Sequence, residues 1–588
     1  MIVKMRRITF IGMEAQREQF LSGLQQVGVA HLIMPSEPAE PLELAKELAR
    51  ITESRKFLAS RTAGEDTGAS LTAKEIWEKR EGLAQREAQL QSEIVALRKE
   101  IAIQEDWGNF QVNDLEALQE SGLRIQFFRT TQKAFETLPL ENLYHQVISS
   151  SRGEVWFVTA SFDPVSLNIP EEKIPGKSLA FLHEELSAKN EELENIQKEY
   201  SGLAAHLDTL VQSETELTNL LAYRRAVLNA ESELEGRLFI VKCWSPLPEQ
   251  ELMEKLGSLT LYHYSEEPDD NDRVPVALRN PAAFNSGEDL VKVYSYPSYQ
   301  DFDPSGFVLY FFAVFFGMIL GDAGYGISLV VITFLLRRVF KSNSPFAVRF
   351  FRMSYLLGIV TTIYGILSTG YFGIQISPDN PLMRLGILDY NTKEGQNQIM
   401  ILSIIIGMIH ISISLLIKFR NTRDIASLGW IPVIWGGYFL VNSQMGKGVD
   451  NPPAKYVLIF GLIVVFLFTS SKKNILLRCL EGLNGLLGIV QIFSDILSYL
   501  RLFALGIATV YMAQTFNMLA GDIVKGLPGV GYVFAGVILI AGHLVNLLLG
   551  VMGGVIHGLR LNFLEWYRWC FVGDGVVYKP FRLIKSQE

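Results

Sequence analysis

Apolar residues follow two regimes along this chain of 588 residues. Up to about residue 300 they recur at alternate positions or at steps of three and four; beyond it they merge into continuous stretches. In the first regime, strand-like Arg7-Ile-Thr-Phe-Ile-Gly, an amphipathic helix at about 14–27 and a strand from Ala30 to Met34 predict a β-α-β unit. Leu238 to Trp244, a helix opening at Pro246 to Leu256, and Thr260 to Tyr264 predict another. Both are assigned to one proximal α/β lobe, about 1–35 and 236–300, because everything between them reads as an insertion. Within the insertion Ile76, Leu83, Leu90, Ile94, Leu97 and Ile101 keep heptad spacing, and Leu186, Leu193, Ile196, Tyr200, Leu203, Leu207, Leu210, Leu217 and Leu221 answer them. These predict the arms of a long antiparallel coiled coil, about 40–110 and 178–234. Alternating segments such as Val155-Trp-Phe-Val-Thr-Ala predict a distal α/β lobe at about 120–170.

In the second regime, 301–588, the apolar stretches are long enough to cross a bilayer, which predicts an all-α polytopic membrane domain. Charge changes at the same boundary. Residues 1–300 hold 31 Lys and Arg against 48 Asp and Glu, net −17, while 301–588 hold 22 against 14, net +8. The start, Met1-Ile-Val-Lys-Met-Arg-Arg, leads into an amphipathic strand rather than a signal-peptide core, so the acidic half is expected to stay in the cytoplasm. The positive-inside rule then wants both the tail, with Lys579, Arg582 and Lys585, and the loop from Arg337 to Arg352 on the inner face. Both demands are met if the first apolar stretch, Phe307 to Leu336, is a hairpin reversing at Gly321-Asp322-Ala323-Gly324-Tyr325-Gly326. Further spans near 351–373, 398–417, 427–442, 455–470, 482–520 and 530–566 bring the count to about eight. Loops with Lys418, Arg420, Arg423 and with Lys472, Lys473, Arg478 fall inside; outer loops carry only Arg384, Lys393, Lys447, Lys455 and Lys525. Cys243, Cys479 and Cys570 are isolated in sequence, which argues against disulfides and a zinc site alike.

Arg501 lies in the middle of the longest apolar stretch, so roughly 19 residues, about 28 Å of helix, separate it from either end. A permanent cation at bilayer depth costs from about 3 kcal/mol on insertion scales to more than 10 in simulations, so something must answer its charge. Gln491, Ser494, Asp495, Ser498 and Arg501 share one helix face by their spacing; His543, Asn546, Gly550, Gly553, His557 and Arg560 share another on the last helix. Each residue alone is accounted for by helix packing or a structural ion pair. As two stripes ending in cations they read better as hydrated half-pathways. Thirty-nine residues make roughly 58 Å of helix against about 30 Å of hydrocarbon, so these helices must tilt, kink or project into water.

Ser498-Tyr-Leu-Arg501-Leu-Phe-Ala-Leu-Gly506, His557-Gly-Leu-Arg560-Leu-Asn-Phe-Leu-Glu565 and Phe571-Val-Gly-Asp-Gly resemble the paired membrane signature of the a subunit, or subunit I, of V-type and A-type rotary ATPases. Phe316-Gly-Met-Ile-Leu-Gly-Asp322-Ala-Gly-Tyr-Gly resembles that family's first membrane hairpin. The resemblance implies that Arg501 is the arginine required for ion translocation and Arg560 its partner. Asp322, Gln491, Asp495, Ser498, His543, Asn546, His557 and Glu565 are then the candidate channel-lining residues. Gly550 stands where eukaryotic members have a glutamate, so the outer path must differ in detail from theirs.

The implied role is that of a stator in a prokaryotic plasma membrane, with a ring of proteolipid c subunits, peripheral stalks, a central-stalk connector and membrane lipids as partners, and no nucleic acid or cofactor. No Gly-x-x-x-x-Gly-Lys-Ser/Thr loop occurs, which assigns ATP chemistry to partners. A secondary transporter with a cytoplasmic regulatory domain also holds intramembrane charge, but no inverted repeat is evident. A purely structural membrane scaffold explains the coiled coil and leaves Arg501 without purpose.

Overall fold

The computed structural model describes the chain except for residues 65–70, 141–142, 152, 174–175, 258–260, 270, 343, 376, 378–379, 446–451, 471–474 and 586–588. Thr260, Lys447, Lys472 and Lys473, on which a strand end and two loop assignments rest, lie outside the described residues.

The alternating segments of the two predicted β-α-β units share one sheet. Arg6–Met13 pairs antiparallel with Leu238–Ser245 on one side and Tyr262–Glu266 on the other, and His31–Leu32 extends the sheet beyond Leu238–Ser245. The two units are thus interleaved as a split β-α-β arrangement. Inward positions Ile8, Phe10, Phe239 and Val241 meet Phe20, Leu21, Leu24 and Leu252 of the covering helices Arg17–Val27 and Glu249–Leu256.

Each arm of the coiled coil consists of two helices: Leu42–Ala59 with Ala73–Glu105 outward, Leu179–Ala204 with Leu207–Asn229 in return. The second outward helix starts at a capping box, in which Thr72 and Glu75 satisfy each other's backbone N–H. Of the heptad positions, Ile76, Leu90, Ile94, Leu97, Ile101, Ile196, Tyr200, Leu203 and Leu210 are buried. Arg86 to Glu192, 2.7 Å, and Lys189 to Glu93, 2.6 Å, tie the arms across the seam. At the far end Glu154–Ser161 is the centre of a three-stranded antiparallel sheet, between Arg124–Thr131 and Tyr144–Ser151.

The second half is helical. Among the described residues five helices are long and apolar enough to cross a membrane: Pro345–Leu367, Lys393–Thr422, Ile425–Gln444, the run Leu476–Gly526 and the run Gly531–Cys570. Ser305–Leu320 and Pro453–Phe468 are shorter apolar helices. The chain reverses after Ser305–Leu320, where Gly321 adopts a left-handed φ of 63° and Asp322 caps Ala323–Val339 through the N–H groups of Gly324 and Tyr325. Helix Pro345–Leu367 records the reversal. Its Gly358 meets Val330 while its Thr362 meets Gly326, an antiparallel register with Ala323–Val339. Its Gly365 meets Ala323 in the same register, whereas its Thr361 meets Gly317 and its Arg349 O accepts from Ser286, next to the Gly287 that Ser305 abuts, so Ser305–Leu320 runs parallel to it.

The tail after the last helix returns to the proximal lobe. Val576–Val577 pairs parallel with Pro275–Val276. Phe581 buries its ring in the proximal core, its N–H donating to Ala30 O, and Leu583 N–H donates to Gln25 O. Asn219 exchanges two bonds with the backbone of Ile584. The tail and the first strand therefore lie on one side of the helical half.

Candidate functional site

The two long helical runs are not regular, and their irregularities flank the two arginines. Gly488–Leu497 ends just before Leu500–Gly526 begins. Across the junction Tyr499 N–H donates to Ile496 O, Arg501 N–H to Ser498 O and Leu502 N–H to Tyr499 O, the three-residue spacing of a tightened 3₁₀ turn. On the last run, Gly531–Arg560 passes into a π turn, Leu561–Trp566, and then Tyr567–Cys570. One arginine follows an over-wound turn and the other precedes an under-wound one, so both side chains are re-aimed relative to the helix faces that simple spacing predicts.

Arg501 is half-buried, and its Nη1 is buried without a hydrogen-bond partner. The charged groups acting on it are Arg560, a like charge, and the carboxylate of Glu565. Glu565 is 4% exposed, feels both arginines, and leaves Oε2 unpaired. Ser498 stands beside it, and His557 lies within the field of both cations. One further turn away, Asp495 is buried and fully engaged: Gln491 Nε2 donates to it at 2.7 Å, Trp569 Nε1 at 3.0 Å and Arg568 at 3.2 Å. Gln491, Asp495, Ser498, Arg501, His557, Arg560 and Glu565 therefore form one group.

Asp322, His543 and Asn546 form a second group, about 21 Å further along the last helix if measured from His557 to His543. Tyr325 Oη lies 2.7 Å from His543 Nδ1 and accepts from Asn546 Nδ2 at 2.9 Å. His543 Nε2 lies 3.0 Å from Asn517 Oδ1, and Asn517 donates to Phe372 O. The Asp322 carboxylate accepts from the backbone of Gly324, Tyr325 and Gly373. An apolar crevice of about 530 Å³, lined by Tyr325, Ile327, Val331, Phe372, Ile540, His543 and Leu547, opens beside this group. Between the groups the small residues are packing contacts: Gly550 meets Leu320, Gly554 meets Phe316 and Gly558 meets Phe312. The second stripe predicted from spacing is thus interrupted by a helix–helix contact.

On the outer surface of Leu500–Gly526, the positions one and two turns after Arg501 are the exposed Ala504 and Ala508. Small side chains there let another helix approach closely. The arrangement is two cations acting on one buried carboxylate, on a helix with an exposed face of small side chains.

No family model matches the chain. Curated relatives do. It is 26% identical to the V-type ATP synthase subunit I of Chlamydia trachomatis over all of this chain and 99% of that protein. It is 25% identical to the V-type ATP synthase subunit I of Borreliella burgdorferi over the whole of both. It is also 27% identical to the A-type ATP synthase subunit I of Methanocaldococcus jannaschii, over 68% of this chain and 64% of that one. The chain is thus similar over its full length to subunit I of V-type ATP synthases, and over about two thirds of it to subunit I of an A-type one.

Several elements of the two groups escape a reading by spacing. Tyr325 sits inside a recognised motif yet is the hub of the second group. Arg568 and Trp569 hold Asp495 from beyond the π turn, and Arg568 follows Arg560 by eight residues, a helical repeat that extends the same stripe. His410, from a helix that contributes to neither stripe, touches both irregular turns. Nothing in its apolar surroundings, Gly407-Met-Ile-His410-Ile-Ser, signals that position.

Proposed function

We propose that this chain is the stator of a rotary ATP synthase or ATPase, forming two ion half-pathways against a rotating ring of small carboxylate-bearing subunits. The observation that carries this reading is that Arg501 and Arg560 both act on the buried carboxylate of Glu565, with Arg501 Nη1 left unpaired on the helix that exposes Ala504 and Ala508. A carboxylate brought against that face meets an uncompensated cation, which favours its ionised form, so it releases its ion there. The fixed positive charge also blocks ions from crossing straight between the two groups. Each elementary charge crossing a 100 mV potential yields about 2.3 kcal/mol, which drives the ring.

In this reading the group at Arg501 serves the pathway on the side of the proximal lobe, and the group at His543 serves the opposite side. The coiled-coil hairpin, with a proximal lobe at about 1–35 and 236–300 and a distal lobe at about 120–170, grips the peripheral stalks and meets the central-stalk connector. The membrane domain is 301–588, with eight helices once Ser305–Leu320, Ala323–Val339 and Pro453–Phe468 are added to the five long ones. The lobes and the tail are cytoplasmic.

The test is Arg501→Gln in the assembled complex. Ion-coupled ATP turnover is expected to fall to background with assembly intact, and Arg501→Lys to fail substantially because an ammonium lacks the planar fork. Normal coupled transport in Arg501→Gln would sink the reading.

A further inference from the structure

We propose that His410 is a positioning residue for the ion site, a single side chain that clasps both irregular turns carrying Arg501 and Arg560. The functional part of this inference rests on the stator reading; the clasp itself does not.

His410 is fully buried, on helix Lys393–Thr422. Its Nδ1 lies 2.8 Å from the hydroxyl of Tyr499, which sits in the tightened turn two residues before Arg501. Its ring stacks on Trp566, 5.1 Å between centroids at an interplanar angle of 6°, and Trp566 closes the π turn six residues after Arg560. Phe311 at 4.0 Å and Phe315 at 5.2 Å fill the remaining sides. One turn earlier, a β-carbon on Gly407 would stand 2.6 Å from the Tyr499 ring, so that ring lies flush against the helix and its hydroxyl is delivered to His410.

The chemistry of the position singles out histidine. Phenylalanine would stack on Trp566 and leave the Tyr499 hydroxyl unpaired. Asparagine or glutamine would bond Tyr499 and lose the stack. Imidazole does both, at a cost: Nε2 is buried with no hydrogen-bond partner, a loss of free energy that a packing role alone avoids by using phenylalanine. The clasp holds what the helices would otherwise relax. A 3₁₀ turn advances about 20° more per residue than an α turn, so regularising the turn at Tyr499 swings Arg501 by tens of degrees around its helix. The π turn after Arg560 has the opposite error. With both turns anchored to one ring, the two guanidiniums keep a fixed mutual placement while a passing carboxylate pulls on one of them.

The experiment uses the full chain in lipid nanodiscs for distances and the assembled complex for transport. Spin labels are placed through Ala504→Cys and Ile556→Cys, both exposed, in a Cys479→Ser background that removes the exposed native thiol. We expect one narrow distance distribution, broadened by His410→Phe and to the same extent by Tyr499→Phe, with the double variant no worse than either single. Coupled ion flux should fall about tenfold or more in the single variants, as a misplacement near 1 Å at a reacting centre does. His410→Gln, which retains the bond to Tyr499, should recover part of both. Should His410→Phe fail to accumulate, Tyr499→Phe, which removes one oxygen, carries the test. Unchanged distances in Tyr499→Phe overturn the clasp, and so do additive effects in the double variant. Broadened distances with unchanged flux overturn the positioning role. Coupled flux persisting in Arg501→Gln overturns the stator reading and leaves the distance result standing.

Discussion

At the scale of single residues, the carboxylates of the helical half divide by their partners. Asp322 is consumed by backbone N–H groups and Asp495 by three side-chain donors, which leaves Glu565 as the one with an unpaired buried oxygen beside the arginines. Arg568→Ala removes the cation from Asp495 while Gln491 and Trp569 remain. The expected loss is about 1.5 kcal/mol, the low end for a charge-assisted bond, because the Arg568 side chain is 47% exposed and already screened. Thermal unfolding of the purified complex measures it, and an unchanged midpoint would show that the pair contributes nothing. Asp495→Leu strips all three donors of their acceptor and should cost more than Arg568→Ala. Much of this site was legible in the sequence, because a charge in an apolar run has few explanations and its helical spacing fixes its neighbours. The rest was not, because hydrogen bonds such as Tyr325 to His543 join residues 218 apart, and no local pattern records them.

At the scale of elements, helix type and extent followed from hydrophobic run length, whereas the departures from α geometry did not. The turn at Tyr499 and the π turn after Arg560 contain neither proline nor glycine, the residues whose backbone properties announce a break. Both are instead met by a tertiary contact, Tyr499 bonded to His410 and Trp566 stacked on it. The hairpin seam shows the opposite case, in which heptad spacing named the buried positions directly. Leu90 is fully buried there against the return arm. Leu90→Asp places an unpaired charge in the seam, which typically costs several kcal/mol. If the hairpin is a strut between the stalks and the membrane half, this variant should lose the soluble catalytic sector on purification while the stripped membrane sector still conducts ions passively. Loss of the leak with retention of the sector would reverse the roles assigned to the two halves.

At the scale of the molecule, the tail joins the two halves, and its attachment is expected to weaken in acid. Lys579 N–H donates to His31 Nδ1 at 3.0 Å, which requires that nitrogen to be unprotonated, and burial holds the imidazole below its ordinary value of about 6.5. A lowered folded pKa means that the released tail binds the proton more readily. The docking free energy is therefore fully present above about pH 6.5 and declines as the pH falls below it. Docking of the tail, followed by a fluorophore on Lys585, should weaken on acidification below that value, and His31→Gln should flatten the dependence. A dependence that survives His31→Gln would assign it to another group.

Sidedness is the remaining property of the whole molecule, and the tail constrains it. Because Phe581 lies in the core built from the first strand, both ends of the helical half face one side, and the number of crossings between them is even. In the eight-helix reading Pro453–Phe468 supplies the crossing that the five long helices leave unmatched, and the two arms of the reversal at Gly321 and Asp322 add a pair. Arg349, five residues after Ser344, is paired with Asp289 at 2.6 Å, so Ser344 lies on the side of the lobes. Asn391 accepts from Gln514 and follows helix Pro345–Leu367, so it lies at the opposite end. With Cys479 replaced and the buried Cys243 and Cys570 left in place, a cysteine at Ser344 should react with an impermeant reagent from the side of the lobes only. One at Asn391 should react from the other side only. Labelling of both from the same side would require an even number of crossings between residues 344 and 391, and the single helix that joins them would then not span the membrane.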